Sequence, residues 1–512
     1  MIMDIYSTLA DGFVHIRLKQ TYVRYFMSSE HSRQSATGAS NTFIYVAAAL
    51  AALNGLLFGF DTGVISGAFL YIQDAFVMSS FVESVVVSGA LVGAVVGAAV
   101  GGRLADRIGR RRLILVGAAV FFVGSFTMAV APTVEILIVG RIVDGIAIGF
   151  ASMVGPLYIS EISPPEIRGS LVSLNQLAVT VGILVSYFVN FAFADGPILA
   201  LAQDVVGAAG WRWMLGAGMV PALILGVAML WMPESPRWLV EKGRESKARD
   251  VLARTRSEDQ ISEEISDIEE TARKQADTDL SDLTQSWLRP ALVVGIGLAA
   301  FQQVTGINTV IYYAPTILES TGFGNSASIL ATVGIGVVNV VMTVVAVLLM
   351  DRAGRRPLLL TGLTGMTLTL VGLGAAFLLP GLSGVVGWVA LVCLMLYVAF
   401  FAIGLGPVFW LLISEIYPLK VRGTAMGVVT VVNWAANLLV ALTFLQLVDV
   451  AGKPGTFWLY AGLSIAALAF TYSLVPETKG RSLEDIESAL RESALGGSGQ
   501  EAFGSRSSTD DD

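Results

Sequence analysis

Asp106-Arg107-Ile108-Gly109-Arg110-Arg111 closes one long apolar run, and Asp351-Arg352-Ala353-Gly354-Arg355-Arg356 closes another. The match decides the fold because it does not stand alone. Glu161 with Arg168-Gly169 returns as Glu415 with Arg422-Gly423, each glutamate seven residues ahead of its arginine. Pro233-Glu234-Ser235 returns as Pro476-Glu477-Thr478. Three motifs repeated in one order, about 250 residues apart, mark a duplication into parallel halves.

Between the motifs the chain is apolar. Of its 512 residues, 54% are hydrophobic and 14% charged, against about 25% charged in soluble domains. Twelve stretches, centred near Leu57, Val92, Phe121, Ala147, Leu184, Leu225, Leu298, Val338, Leu370, Leu396, Val432 and Ala466, are long enough to span a bilayer, which takes about 20 residues as a helix. Lipid admits only helices or closed barrels, and unbroken apolar runs exclude alternating barrel strands. The expected fold is therefore an all-α integral membrane protein: twelve transmembrane helices in two pseudo-symmetric six-helix halves, with short cytoplasmic helices between them. The expected units are a leader at 1–40, an N-terminal half at 41–233, a linker at 234–288, a C-terminal half at 289–475 and a tail at 476–512, disordered at its end. In the linker, Val251, Leu252, Ile261, Ile265 and Ile268 are spaced for amphipathic helices. Residues 1–26 lack the pattern of a signal peptide, and Met27-Ser28-Ser29-Glu30 reads as a short polar start that makes them dispensable.

Charge placement sets orientation and excludes classes. Arg103, Arg107, Arg110, Arg111 and Arg112 crowd one loop; Arg168, the segment 234–289, Arg352–Arg356 and Lys420–Arg422 fall in loops of the same parity. Opposite loops carry Asp74, Asp195 and Asp204. By the positive-inside rule both termini are cytoplasmic, in a multi-pass protein of the cell membrane. The net charge of −8 calls for no nucleic-acid partner. Cys393 is the single cysteine, so no intramolecular disulfide forms, and His15 and His31 both precede the first span, so no histidine relay crosses it. No nucleophile–base pair or metal cluster supports an enzyme, a cofactor or a metal site.

Two charges lie inside spans: Asp61 within 47–70 and Arg141 within 134–158. A charge in hydrocarbon is costly unless it faces a partner or a wet cavity, so intramembrane acids and bases mark function. An acid and a base on separate helices suggest a proton-sensitive switch in a transporter. The bland alternative is a structural ion pair orienting two helices. Asp144, three residues after Arg141, is within reach on one helical face. The seventh stretch adds Gln302, Gln303 and Asn308, followed by Tyr312 and Tyr313. Neutral amides beside aromatic rings suit a sugar, which presents hydroxyl edges and weakly apolar faces. Asn308 and Tyr312 share a face of an ideal helix and Gln303 does not, so a break at Thr305-Gly306 is needed to gather all three. Intramembrane amides also glue helices together, a reading that competes most strongly at Asn339. Gly93, Gly97 and Gly101 read as small-residue packing without chemistry, and Trp211, Trp213 and Trp231 as an interfacial belt.

Taken together, the chain resembles the major facilitator superfamily, and within it the sugar porters, which include bacterial proton–sugar symporters and facilitative glucose carriers. The resemblance runs over roughly 41–486. It rests on Gly102–Arg111, Gly140-Arg141, Glu161 to Gly169, Pro233-Glu234-Ser235-Pro236-Arg237, Phe301-Gln302-Gln303, Gly306-Ile307-Asn308, Asp351–Arg356, Gly406-Pro407, Ser414-Glu415 and Pro476-Glu477-Thr478-Lys479-Gly480. It implies a sugar site built from Gln302, Gln303 and Asn308 together with Gln176, Asn339, Trp410, Trp434 and Asn437. Some pentose symporters of the family carry a second glutamine seven residues after the Gln176 position; here that residue is Ile183. The resemblance also implies a cytoplasmic gate made of Asp106, Arg110, Glu161 and Arg168 in one half, and Asp351, Arg355, Glu415 and Arg422 in the other. Such charges join the halves when the inside is closed.

The expected activity is proton-coupled monosaccharide symport by alternating access, with H+ as coupling ion, Asp61 as its carrier and a monomer as the working unit. Facilitative relatives carry Asn at the Asp61 place, so Asp argues for coupling. The alternatives are a facilitative uniporter, in which Asp61 is structural, and a non-transporting sugar receptor. The short Gly/Ser-rich tail disfavours the receptor.

Overall fold

Apolar runs without internal breakers fold as long helices because lipid offers their backbone no other partner. A computed structural model of the chain describes residues 38–164, 167–194, 209–276, 285–378, 385–418 and 421–480, with the single positions 283, 485 and 488. The leader 1–37, the expected loop acids Asp195 and Asp204, Lys420 and the end of the tail lie outside them. The first five spans are single helices: α1 (Gly38–Ala75), α2 (Ser80–Ile108), α3 (Arg110–Ala129), α4 (Val134–Ile162) and α5 (Arg168–Ala194). The sixth is α6 (Gly210–Gly216) followed by α7 (Met219–Trp231).

The linker folds as α8 (Pro236–Glu241), α9 (Glu245–Leu252) and α10 (Glu258–Ala276). Their apolar faces close two small cores, Trp238, Leu239, Ala248 and Val251 in one and Leu252, Ile261 and Ile265 in the other. Trp238 Nε1 donates to the Asp106 carbonyl at 2.9 Å, which ties the linker to the N-terminal half.

The second half repeats the pattern with more interruptions. The seventh span is α11 (Arg289–Val304) and α12 (Ile307–Glu319), the eighth α13 (Asn325–Ala353), the ninth α14 (Arg355–Ala376), and the tenth α15 (Val386–Ile403) with α16 (Leu405–Ile416). The last element, α17 (Arg422–Leu474), has 53 residues. At 1.5 Å per residue that is about 80 Å, too long for one crossing of a hydrocarbon layer about 30 Å thick. It breaks at Gly452 (φ 69°, ψ 169°) and so supplies both the eleventh and the twelfth spans. Among the described residues, eleven helical segments are long and apolar enough to cross a membrane, this one among them, and with it counted twice they make twelve spans.

Small residues set how closely the helices approach. Along α1, Gly55, Gly59, Gly63 and Gly67 recur every fourth residue against α5, where a Cβ on Gly59 would run into the Val179 carbonyl. Gly93 and Gly97 of α2 likewise face Ile142 and Ile146 of α4.

The duplicated motifs are helix joints. Gly109 (φ 102°) and Gly354 (φ 88°) turn the chain between consecutive spans. Beyond the first, Glu234 accepts the Arg111 amide at 3.0 Å. Beyond the second, Glu477 accepts the Arg355 and Arg356 amides, both at 3.0 Å. A carboxylate thus caps each exposed helix start, where the backbone donors and the helix dipole favour negative charge. A Cβ on Gly354 would stand 2.7 Å from the Glu477 carboxylate, so the glycine serves the cap as well as the turn.

Candidate functional site

A ring of buried amides forms where helices of the second half break. Gly306 is left-handed (φ 94°) and divides α11 from α12. The break lets Asn308 reach back, and its Nδ2 donates to Gln303 Oε1 at 2.8 Å. Gln303 Nε2 donates to Asn433 Oδ1 at 3.1 Å, and Asn433 Nδ2 donates to Gln302 Oε1 at 2.7 Å. Gln302 Nε2 closes the set on the Leu405 carbonyl at 2.8 Å, at the second break, between α15 and α16. Tyr397 donates to the Thr305 carbonyl at 2.8 Å and fixes the first break from outside. The ring therefore joins neutral donors and acceptors of α17 to two interrupted spans, and interrupted helices are typical of transporter sites. Such a set can exchange its internal bonds for the hydroxyls of an uncharged ligand.

Asn433 is a member that sequence reasoning missed. It adjoins Trp434, and only the register of α17 shows which of Asn433 and Asn437 points at the glutamines. Asn437 is buried with its Oδ1 unpartnered, next to Tyr312. Trp434 is buried and packs on Phe58 of the first half, with ring centroids 5.3 Å apart. Trp410 is half-buried on α16, edge-on to Phe409 at 4.8 Å. Gln176 is half-buried on α5 and Asn339 buried on α13, two helices that pack together. Among the described residues, neither bonds to the amide ring. Ile183 is also buried, with its backbone against Gly59 and Gly63 of α1.

The two intramembrane charges meet. Arg141 Nη1 donates to Asp61 Oδ1, and its Nη2 donates to the Val87 carbonyl at 3.2 Å. The side chains are 1% and 3% exposed, so the pair is dry. Asp144 is 1% exposed and keeps one carboxylate oxygen without a partner. Tyr312 of α12 lies within electrostatic range of both members of the pair. It stands one turn beyond Asn308, so a single helix carries both an amide of the ring and a residue near the charges.

The other predicted charges cluster at the end of the bundle that holds the linker. Arg110 grips Glu161 through Nε at 2.9 Å and Nη2 at 3.0 Å, and pairs with Asp106 at 3.0 Å. Arg355 repeats the grip on Glu415 at 2.8 Å. Each of these pairs lies within one half. Arg168 and Arg422 cap their own local turns, on the carbonyls of Ser163 at 3.5 Å and Tyr417 at 3.1 Å. Asp351 lies in the last turn of α13, and its side chain lies outside the described part.

Contacts between the halves sit toward the opposite end. Gln446 of α17 donates to Ser80 O at 3.3 Å and to Ser84 Oγ at 3.2 Å, at the start of α2. Tyr187 donates to the Ile311 carbonyl at 3.2 Å, and Tyr313 meets Phe69 edge-on at 5.7 Å. One aromatic differs from expectation. Trp211 is only 2% exposed and packs against Phe76, because α6 turns it inward, whereas Trp231 at 72% exposure has the setting of a belt residue.

Comparison with known proteins agrees with this architecture. The family model described as "Sugar (and other) transporter" matches residues 47–490. The chain is 45% identical to the putative metabolite transport protein YwtG of Bacillus subtilis over 453 residues, covering 88% of this chain and 96% of that one. It is 43% identical to a D-xylose transporter of Levilactobacillus brevis over 454 residues, with coverage of 88% and 96%. Among solved structures it resembles XylE from E. coli. The partially occluded inward-open form matches with a TM-score of 0.75 at 33% identity, over 86% of this chain and 100% of that one. XylE bound to 6-bromo-6-deoxy-D-glucose, described there as a proton:xylose symporter of the major facilitator superfamily, matches with a TM-score of 0.74 at 33% identity, over 88% and 99%. Matched over residues 47–490 and 33% identical to a solved member of the major facilitator superfamily, the chain belongs to the sugar transporter family of that superfamily.

Proposed function

We propose that this chain carries a monosaccharide across the cell membrane together with a proton, by alternating access, and performs no catalysis. The observation that carries the reading is the buried Asp61–Arg141 pair, set against the same helix, α12, that bears Asn308 of the amide ring. Gln302, Gln303, Asn308 and Asn433 would bind hydroxyls, with Gln176, Asn339 and Asn437 completing the polar lining. Trp410 and Trp434 would cover the apolar faces of the ring. Sugar bound at Asn308 would shift α12, and Tyr312 would relay that shift to the pair. Asp61 would load the proton in the outward state and release it inward. The solved relative described as a proton:xylose symporter supports both cargo class and coupling ion.

The arginine-rich end is read as cytoplasmic, with both termini there, and the protein as a working monomer. The units are read as 41–233 and 289–475 for the two halves, with 234–288 between them, 1–40 before and 476–512 after. Halves that touch at the end away from the arginines fit a state closed to the outside. The Arg110–Glu161 and Arg355–Glu415 pairs would then reach across the halves, with Arg168 and Arg422, when the inside closes.

The test is uptake of labelled pentoses, hexoses and polyols into proteoliposomes, with and without an inward proton gradient. The reading expects gradient-driven accumulation of a monosaccharide. In Asp61→Asn, accumulation should vanish while counterflow survives, since a neutral side chain imitates the protonated acid. Equal accumulation by Asp61→Asn and wild type would move the coupling site elsewhere. Lost counterflow would make the pair structural.

A further inference from the structure

Arg141 has one guanidinium and two carboxylates within reach. It spends Nη1 on Asp61 and Nη2 on the Val87 carbonyl, and its Nε is buried without a partner. Asp144, three residues on along α4, has a buried Oδ1 without a partner. An orphaned donor and an orphaned acceptor thus lie in one dry cluster, and buried polar atoms are normally paired. Among the described residues, Asp61, Asp144 and Arg141 are the charges of the cluster. Asp61 faces Asp144 from α1, Ser125 from α3 and Tyr312 borders the pair from α12. From α2 the Val87 carbonyl accepts from Arg141, and Gly89 packs against its side chain. Gly124 brings α3 so close that a Cβ there would stand 2.7 Å from the Asp144 nitrogen, leaving little room for water.

We propose that Asp144 is the second seat of Arg141: when Asp61 takes the coupling proton, the guanidinium passes from Asp61 to Asp144. The inference rests on the proton-coupled reading above. One O–H bond forms on Asp61, with the proton drawn from outside water, and Arg141 keeps its charge throughout. With Asp144 ionised, two carboxylates and one guanidinium carry a net negative charge, which the proton cancels. Without Asp144 the same proton would leave the dry cluster with a net positive charge and a stranded guanidinium. Asp144 is thus a positioning residue that makes protonation of Asp61 easier.

Two measurements test this. The first is the external pH of half-maximal sugar accumulation, in wild type, Asp144→Asn and Asp144→Glu. Asp144→Asn should still accumulate sugar, with its midpoint moved to more acid pH by roughly one unit, the size expected for losing a nearby like charge. Asp144→Glu should restore most of the shift. An unchanged or more alkaline midpoint overturns the proposal. A wild type indifferent to the proton gradient overturns the coupled reading itself, and the proposal with it. The second measurement is a double-mutant cycle of melting temperatures in detergent, which needs no transport. If Arg141 moves to Asp144 once Asp61 is neutral, then Asp144→Asn should lower the melting temperature far more in Asp61→Asn than in wild type. Additive effects overturn the proposal.

Discussion

Asn433 illustrates how much of the site depends on single hydrogen bonds. It is held by both glutamines, and they in turn hold Asn308 and the break at Leu405. Asn308→Ala or Gln303→Ala should weaken monosaccharide binding by about three- to tenfold, the equivalent of about 0.5–1.5 kcal/mol for one neutral hydrogen bond. Asn433→Ala should cost at least as much, because it releases two amides at once. Calorimetry on the purified variants checks this, and unchanged binding in all three would remove the ring from the sugar site. The glutamines and Asn308 were legible in the sequence because polar amides are dense there in an otherwise apolar stretch. Asn433 was not, since its meaning depends on which face of α17 meets a helix some 130 residues earlier. Asp61 and Arg141 were legible as an acid and a base in lipid, on two separate spans, and so as a candidate pair. That the guanidinium chooses Asp61 over the nearer-in-sequence Asp144 could be read only from the packing.

At the scale of elements, interruption matters as much as continuity. The break at Gly306 needs both a positive φ of 94° and an absent side chain, since a Cβ there would stand 2.7 Å from the Tyr460 ring. Gly306→Ala should therefore lower stability by about 1–3 kcal/mol, the usual cost of forcing a side chain into a sparsely populated backbone region, and should weaken sugar binding by moving Asn308. Gly462→Ala is the matched control, because nothing lies within 4 Å of its added Cβ, and it should be neutral. Thermal unfolding in detergent separates the two, and equal stability would mean the break does not depend on glycine. The sequence announced this break through the mismatch of Gln303 with the Asn308–Tyr312 face. It also announced the two joints, whose glycines and distant glutamates repeat in order. It did not announce the inward turn of Trp211, because tryptophans flanking a span look alike whether they face lipid or a neighbouring helix.

For the whole molecule, the issue is which contacts the two halves must exchange. The linker is tied to the N-terminal half by the Trp238 bond, and the arginine–glutamate grips at that end are internal to each half. At the other end, Gln446 of the second half holds Ser80 and Ser84 of the first. Alternating access requires this clasp to open in every cycle. The bonds are neutral and few, each contributing about 0.5–1.5 kcal/mol, so the clasp can part without a large barrier. A covalent link at the same place could not. With the only native cysteine replaced by Cys393→Ser, the pair Ser84→Cys and Gln446→Cys should accept a short reducible thiol cross-linker that spans the length lost from Gln446, since the native side chains touch at 3.2 Å. Cross-linking should stop uptake into proteoliposomes, and reduction should restore it. Each single cysteine variant should be indifferent to the cross-linker. Uptake at the full rate with the cross-link demonstrably closed would mean that the halves do not separate there, and that the sugar takes another way in.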